Sequence, residues 1–264
     1  MNRARARPQA SEPLSSEAEP LRRARVSAWE WEGGGLGSRP LPLVARAEVV
    51  FDGVTLLTAP GAVMTPRSTT EALVDWAVEW IGSRSVRVAD VGTGSGAVAV
   101  AVALRAPSAR IWATDDSKAA VAIARTNITR YGLQERVKVL LGDLLEPVPG
   151  RLDLVLANLP YHAAARSRGP NASACCEQPE HAIYAPGDGL QLNRDLINAC
   201  RTRLQERGAL AIQLYGYVLS AGRGELDQLL REIEARGAEG WEARVAAGSG
   251  RGHNSACSIR AAQS

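Results

Sequence analysis

Residues 158–161 of this 264-residue chain read Asn-Leu-Pro-Tyr and close the apolar run "LDLVLA". A strand that only fills a core needs no amide, proline and phenol ring at its end. A site that must hold a flat, uncharged NH2 group has a use for all of them. The nitrogen of an amide or an exocyclic amine is a poor nucleophile, because its lone pair is delocalised into the adjoining π system. Alkylating it requires acceptors for both N–H groups, so that the lone pair points at the electrophile. The side-chain oxygen of Asn158 and the backbone carbonyl of Leu159 can be those acceptors. Pro160 fixes φ and stiffens the turn, and Tyr161 offers a ring to stack on the planar group. Such catalysis is positioning and electrostatics. It needs no strong general base, and no Ser/His/Asp or Cys/His arrangement supplies one. His162 therefore reads as a loop residue rather than a base, since the nitrogen sheds its proton only after transfer.

A second constellation lies upstream, in "VADVGTGSGAVAVAVA". An apolar strand runs into Gly92-Thr93-Gly94-Ser95-Gly96 and directly on into a helix. Glycines there let the backbone approach a ligand closely, with a helix N-terminus beyond. The next strand ends in Asp115, about 20 residues past the glycines, where an acid accepts hydrogen bonds from ribose hydroxyls. The strand after it ends in Gly142-Asp143, a second carboxylate able to meet an adenine amino group. The glycines are spaced G-x-G-x-G rather than G-x-G-x-x-G, and Asp90 precedes them. A carboxylate in that place would repel a pyrophosphate and favours a cationic, amino-acid-bearing ligand. S-adenosylmethionine, with its sulfonium, ammonium, ribose and adenine, fits three acids and a glycine loop.

The elements that must position these residues follow from the pattern. From Val86 onward, apolar strand-like runs alternate with helical periodicity: "VRVADVG", "GAVAVAVALRA", "ARIWATD", "SKAAVAIARTNITRYG", "RVKVLLGD", "LDLVLANLP", "LQLNRDLINACRTRLQERG" and "ALAIQLYG". Repeated βα units predict a doubly wound parallel sheet with helices on both faces. Ligands then bind at the carboxyl edge of the strands, where both constellations fall. The segments "WEARVAAG" and "SACSIRAA" read as a C-terminal antiparallel hairpin closing the sheet edge. Upstream, Asp52-Gly53 between two β-rich runs suits a tight hairpin. "STTEALVDWAVEWIG" reads as a helix capped by Ser68 or Thr69, with Glu71 in its first turn and Gly82 as its stop.

Composition narrows the function classes. Apolar residues make up 45% of the chain, enough for a core, and no apolar run is long enough to span a bilayer. The first 25 residues hold six Arg and three Glu and so carry the whole net charge of +3. The remainder is neutral, unlike a duplex-binding domain. Arg166 and Arg168, just past Tyr161, read as solvated loop charges. Cys175, Cys176, Cys200 and Cys257 show no C-x-x-C spacing, which predicts free thiols in a reducing cytoplasm and no metal site. Residues 1–45 read as a disordered basic tail and linker. Residues 46–82 read as a hairpin and helix leading into the domain, and residues 83–264 as the domain itself.

In order, "PGAVMTPRSTTEALVDWA", "ADVGTGSGAVAVAVA", "ATDDSKAAVAIARTN", "ANLPY" and "QPEHAIYAPGDGL" resemble the HemK/PrmC-type protein-(glutamine-N5) methyltransferases over roughly residues 45–261. The glycine loop and the NxPY-type motif are common to many methyltransferases, whereas "TPR…TE" and "PEHAIYAPGDGL" are more particular to this family. The resemblance implies a Rossmann-like class I methyltransferase with a mostly parallel seven-stranded sheet. Its cofactor would be S-adenosylmethionine and its substrate the glutamine of the Gly-Gly-Gln loop in peptide-chain release factors. It implies that Asp90, Gly92, Thr93, Gly94, Gly96 and Asn158 line the cofactor, that Asp115 binds ribose and that Asp143 lies near adenine. Asn158, Leu159, Pro160 and Tyr161 would hold the acceptor amide, and Pro66 and Arg67 would lie in a loop covering the site. The sequence departs from the pattern in several places. Leu159 replaces the first Pro of N-P-P-Y, and N-L-P-Y also resembles the motif of adenine-N6 dimethylating rRNA enzymes. Gln178 and Gln213 stand where acids are more common. "PRSTTE" replaces P-R-P-E-T-E, and the family's N-terminal helical domain has no counterpart in the 45 residues upstream. The alternative reading is an N-methyltransferase acting on an exocyclic amine (adenine N6) of RNA or DNA, or on a small molecule.

Overall fold

The computed structural model describes residues 46–163, 178–215, 241–247 and 254–261. Trp29 and Trp31, Arg166 and Arg168, Cys175 and Cys176, and His253 lie outside the described residues. The chain enters through an antiparallel hairpin, β1 (Ala47–Phe51) and β2 (Val54–Thr58). Asp52 and Gly53, both at positive φ (47° and 75°), make the turn that matches strand twist. A single 3-10 turn, Ser68–Thr70, leads into α1 (Glu71–Ile81), which stops at Gly82 with its N–H on the Val78 carbonyl.

The expected cap does not form. Thr70, not Ser68 or Thr69, takes the cap position, and no side chain caps the helix. Residues 68–70 are already coiled, so the hydroxyls of Ser68 and Thr69 stand too early to meet the free N–H groups of α1. Glu71 instead accepts from the backbone N–H of Asp52 at 3.1 Å, pinning the helix to the hairpin turn.

Five strands form the parallel sheet predicted from the alternation: β3 (Arg87–Val91), β4 (Arg110–Asp115), β5 (Val137–Leu141), β6 (Leu152–Ala157) and β9 (Leu204–Tyr215). Their order is β9-β6-β3-β4-β5. The chain therefore runs outward from β3 to β5, then returns past β3 to β6, and this reversal places the switch point between β3 and β6. The connecting helices are α2 (Ala97–Arg105), α3 (Lys118–Arg130) and α4 (Gln191–Arg203). A short parallel pair, β7 (His162–Ala163) with β8 (Tyr184–Ala185), lies outside the sheet.

Alternation along each strand divides the core into two layers. Val88, Leu154, Leu156, Ala209 and Ala211 pack with α1, α2 and α3. Ala89, Val155, Ala157, Leu210 and Ile212 pack with Leu196, Ile197 and Cys200 of α4. Residues 97–103 of α2 are buried all round, which is why that helix reads as an unbroken Ala/Val run. Cys200 is a free cysteine whose thiol burial pushes up, making it an inert core residue. No helix among the described residues is long and apolar enough to cross a membrane.

The helix expected over "LQLNRDLINACRTRLQERG" is too long by its last turn. α4 ends at Arg203, and Leu204 is already extended (φ −79°, ψ 147°), pairing with Leu152. The partner shifts from Leu204 opposite Leu152 to Ala209 opposite Leu154, so "QERG" bulges out of the ladder. Burying Leu204 against the second core layer outweighs the helical propensity of Gln205 and Glu206.

One side chain works against this packing. Asn193 on α4 is fully buried, and neither Nδ2 nor Oδ1 has a hydrogen-bond partner among the described residues. An unsatisfied buried polar group costs about 1–3 kcal/mol. Asn193→Leu is expected to raise the melting temperature by about 3 °C or more in a thermal scan, given the few degrees per kcal/mol typical of chains this size.

Candidate active site

The glycine loop joins β3 to α2 with Gly92, Gly94 and Gly96 at φ of 69°, 56° and 81°. Its shape is set by two acids identified from the sequence. Asp90 is 3% exposed, and its Oδ2 accepts from the Thr93 hydroxyl at 2.6 Å and from the Ala99 N–H at 3.1 Å. Asp115, at the end of β4, accepts from Gly94 N–H at 2.9 Å through Oδ2 and from Ser117 N–H at 2.9 Å through Oδ1. Ser117 caps α3 by accepting from Ala120 N–H. Asp143 is exposed just past β5, where the Gly142 N–H reaches the Asp115 carbonyl at 3.0 Å. Three carboxylates thus stand at the carboxyl edge of three neighbouring parallel strands.

Their electrostatics favour a cationic ligand. Burial raises the Asp90 carboxyl to about 6, against hydrogen bonds from Thr93 and Ala99 that lower it and the nearby Asp115 charge that adds to the rise. Asp115 is also shifted up, again chiefly by burial, against the two backbone N–H groups it holds. Among the described residues no Lys, Arg or His forms an ion pair with Asp90 or Asp115. A buried carboxylate such as Asp90, which has no ion pair among the described residues, is costly in the free protein and is relieved by a bound cation. At the half-buried Asp115 the nearby His181 charge already offsets part of the rise. The donor set therefore fits the sulfonium and ammonium of S-adenosylmethionine. The carboxylate of Asp115 has lone pairs left over for hydroxyls.

Asn158 follows β6 directly. Ala157 pairs with Val91, so Asn158 stands across from Gly92. Its Nδ2 donates to the Thr70 hydroxyl at 3.2 Å. Leu159 is 5% exposed, and a Cβ on Gly92 would lie 2.7 Å from its Cδ2. The leucine of N-L-P-Y therefore fills the notch that the first glycine leaves, locking the two motifs together. Tyr161 stacks its ring on His162, centroids 4.9 Å apart. His162, expected as a loop residue, lies in β7, and its ring meets Tyr184 edge-on. Burial lowers the His162 pKa, and the Arg67 charge lowers it further. This electrostatic contact brings the 60–70 segment to the acceptor motif. Pro66 sits in that segment between Arg67 and Thr65, whose N–H donates to Gln178 at 2.8 Å.

Four supporting residues were not legible as site residues in the sequence. Thr70 and Gln213 tie the 68–70 turn to the strand ends, Gln213 donating to the Thr69 carbonyl at 3.0 Å. Asn127 of α3 is fully buried, exchanges both amide bonds with the Leu57 backbone and also donates to Ser95 O at 2.8 Å. It holds the hairpin, α3 and the glycine loop in one piece. Its signal was a lone amide on the buried face of an Ala/Ile-rich helix. Gly189 is the fourth. At φ 93°, a Cβ there would lie 2.6 Å from the Tyr161 carbonyl and 2.7 Å from the Ala163 nitrogen. Gly189→Ala is expected to displace Tyr161 and lower turnover about tenfold or more, because sub-ångström misplacement of a positioning group is costly; steady-state kinetics beside a melting curve checks this.

The fold and site together define the methyltransferase class, a doubly wound sheet with a glycine loop and three edge acids facing an amide-bearing strand end. Residues 68–188 match the methyltransferase small domain. A release factor glutamine methyltransferase from Gloeobacter violaceus is 42% identical over 155 residues, covering 58% of this chain, so the chain spans about half (54%) of that relative's length. One from Bordetella pertussis is 33% identical over 228 residues, 84% of this chain and 83% of that one. The chain belongs to the release factor glutamine methyltransferase family. In fold it also resembles a 16S rRNA N2 G1207 methyltransferase from T. thermophilus, solved in complex with AdoMet and guanosine. There the TM-score is 0.56 at 17% identity, covering 85% of this chain and 52% of that one.

Proposed function

We propose that this protein transfers a methyl group from S-adenosylmethionine to the side-chain amide nitrogen (N5) of a glutamine in a peptide-chain release factor. The observation that carries the reading is Asn158: it stands at the strand end across from Gly92, with its NH2 engaged by Thr70 and its side-chain oxygen making no hydrogen bond among the described residues. When bound, the cofactor supplies a methyl on positively charged sulfur, and transfer breaks the S–C bond, forms an N–C bond and sheds one proton from nitrogen to water. Asp90, Gly92, Thr93, Gly94, Gly96, Asp115 and Asp143 would hold it. Asn158 and the Leu159 carbonyl would accept the two N–H groups of the substrate amide, Pro160 would keep the turn rigid and Tyr161 would stack on the amide plane. Pro66 and Arg67 would cover the cleft. The names of the relatives support the glutamine substrate, and the zero net charge of the chain beyond residue 25 supports a protein over a nucleic-acid partner.

The same reading places the protein in the cytoplasm with its substrate. It divides the chain into a tail (1–45), an entry hairpin and helix (46–82) and the methyltransferase domain (83–264). It also completes the sheet with β10 (Trp241–Ala247) and β11 (Asn254–Ala261), whose antiparallel pairing with each other, and of β11 with β9, supports a seven-stranded sheet ending in a hairpin.

Methyl-labelled cofactor incubated with this protein, purified release factor and total RNA tests the assignment. Label is expected in the release factor and lost when its Gly-Gly-Gln glutamine is changed. Label confined to RNA would reject the glutamine substrate in favour of an exocyclic amine.

A further inference from the structure

We propose that Thr70 is a positioning residue for methyl transfer: its buried hydroxyl takes up the NH2 of Asn158 and thereby leaves the Asn158 carbonyl oxygen to face the acceptor nitrogen. This rests on the reading that the acceptor is an NH2 group. An asparagine side chain has a donor end and an acceptor end that are nearly the same shape. Only the oxygen can receive an N–H from the substrate. Turned round, Asn158 would set one NH2 against another. Something must fix which way the amide points, and Asn158 cannot do so by itself.

The structure supplies the fixing group. Asn158 Nδ2 lies 3.2 Å from Thr70 Oγ1, and Oδ1 makes no hydrogen bond among the described residues. Thr70 stands at the N-cap of α1, where a threonine hydroxyl ordinarily bonds the second or third helical N–H. Here it caps nothing, so its hydroxyl is free to serve the amide. It is 7% exposed, and its own N–H donates to the Arg67 carbonyl at 2.9 Å, which holds the turn closed. A second bond makes the placement rigid. Gln213, next along β9 after the Ile212 that pairs with Ala157, donates to the Thr69 carbonyl at 3.0 Å. The 68–70 turn is thus tied to two neighbouring strand ends at the level of the acceptor site.

The test compares Thr70→Val, which keeps the shape and removes the hydroxyl, with Thr70→Ser, which keeps the hydroxyl. Thr70→Ala guards against misfolding of the valine variant. Val and Ala are expected to lower kcat about tenfold, with KM, cofactor Kd and melting temperature little changed. Ser is expected to restore kcat to within about threefold. In an Asn158→Ala background, Thr70→Val should cause no further loss, because the two residues act as one unit. Wild-type kcat in Thr70→Val and Thr70→Ala, equal impairment in Thr70→Ser, or a loss that persists without Asn158 would overturn the proposal. If the wild-type protein methylates RNA rather than release factor, the substrate reading falls while these ratios still judge Thr70. Transfer to no NH2 group at all overturns both.

Discussion

Asn158→Ala is expected to reduce turnover by about 10²–10³-fold while cofactor affinity stays within about threefold of wild type. On the proposed function, the deletion removes one of two acceptors that would orient the substrate amide, and it does so where charge would redistribute during transfer. Loss of one such preorganised group costs roughly 3–4 kcal/mol of transition-state stabilisation. The Leu159 carbonyl remains, so some activity should survive. Cofactor affinity is spared because Asp90, Asp115 and the glycine loop are held by their own hydrogen bonds, none of which passes through Asn158. Isothermal titration with S-adenosylmethionine, beside kcat and KM for the release factor, separates the two effects. Unchanged turnover would remove Asn158 from the reaction, and a parallel collapse of cofactor binding would make it a structural residue instead.

The second large effect is expected at Asp90. Its carboxyl is raised from 3.8 to about 6 in the folded protein by burial. The folded form therefore binds a proton that the unfolded form releases over this window. The contribution of Asp90 to stability is full below about pH 4 and is lost as pH rises through about 6. At neutral pH, burying the charged form costs on the order of 3 kcal/mol. A cationic ligand reverses the preference, since it binds the ionised carboxylate. Affinity for S-adenosylmethionine should thus fall as pH drops from 7 to 5. Asp90→Asn should weaken binding at pH 7 by roughly 50-fold, or about 2.3 kcal/mol, and flatten that pH dependence. It should do so without the loss of folding stability that deletion of a paired charge brings. Titration calorimetry from pH 5 to pH 8, with thermal melts of both proteins, measures each part. Equal pH profiles for wild type and Asp90→Asn would place the titrating group elsewhere, with Asp115 the next candidate because burial raises it too.

Much of this site could be read from local pattern. The alternation of apolar strands and helices predicts the parallel sheet, and the sheet's carboxyl edge then gathers Asp90, Asp115, Asp143 and Asn158 whatever the details of the loops. The Asp52-Gly53 turn and the stop at Gly82 are equally local, since each depends on a backbone conformation that its own residue favours. Local pattern misleads where a residue has two uses. Ser68, Thr69 and Glu71 spell a capping box, yet the box does not form, because the segment coils a turn earlier and its groups bond partners elsewhere. Leu204 continues a helical pattern, yet it is buried as the first residue of a strand. His162 reads as loop and belongs to a strand pair.

The residue types and their spacing specified the fold class, the glycine loop and the amide-bearing strand end, because periodicity and turn chemistry act over a few residues at a time. Packing alone decided which side chains complete the site. Thr70 meets Asn158 across 88 residues, Asn127 meets Leu57 across 70, and Gln213 meets Thr69 across 144. Such contacts depend on how far each element slides and turns against the next. That register is set by the summed burial of two core layers, and no short stretch of chain carries it.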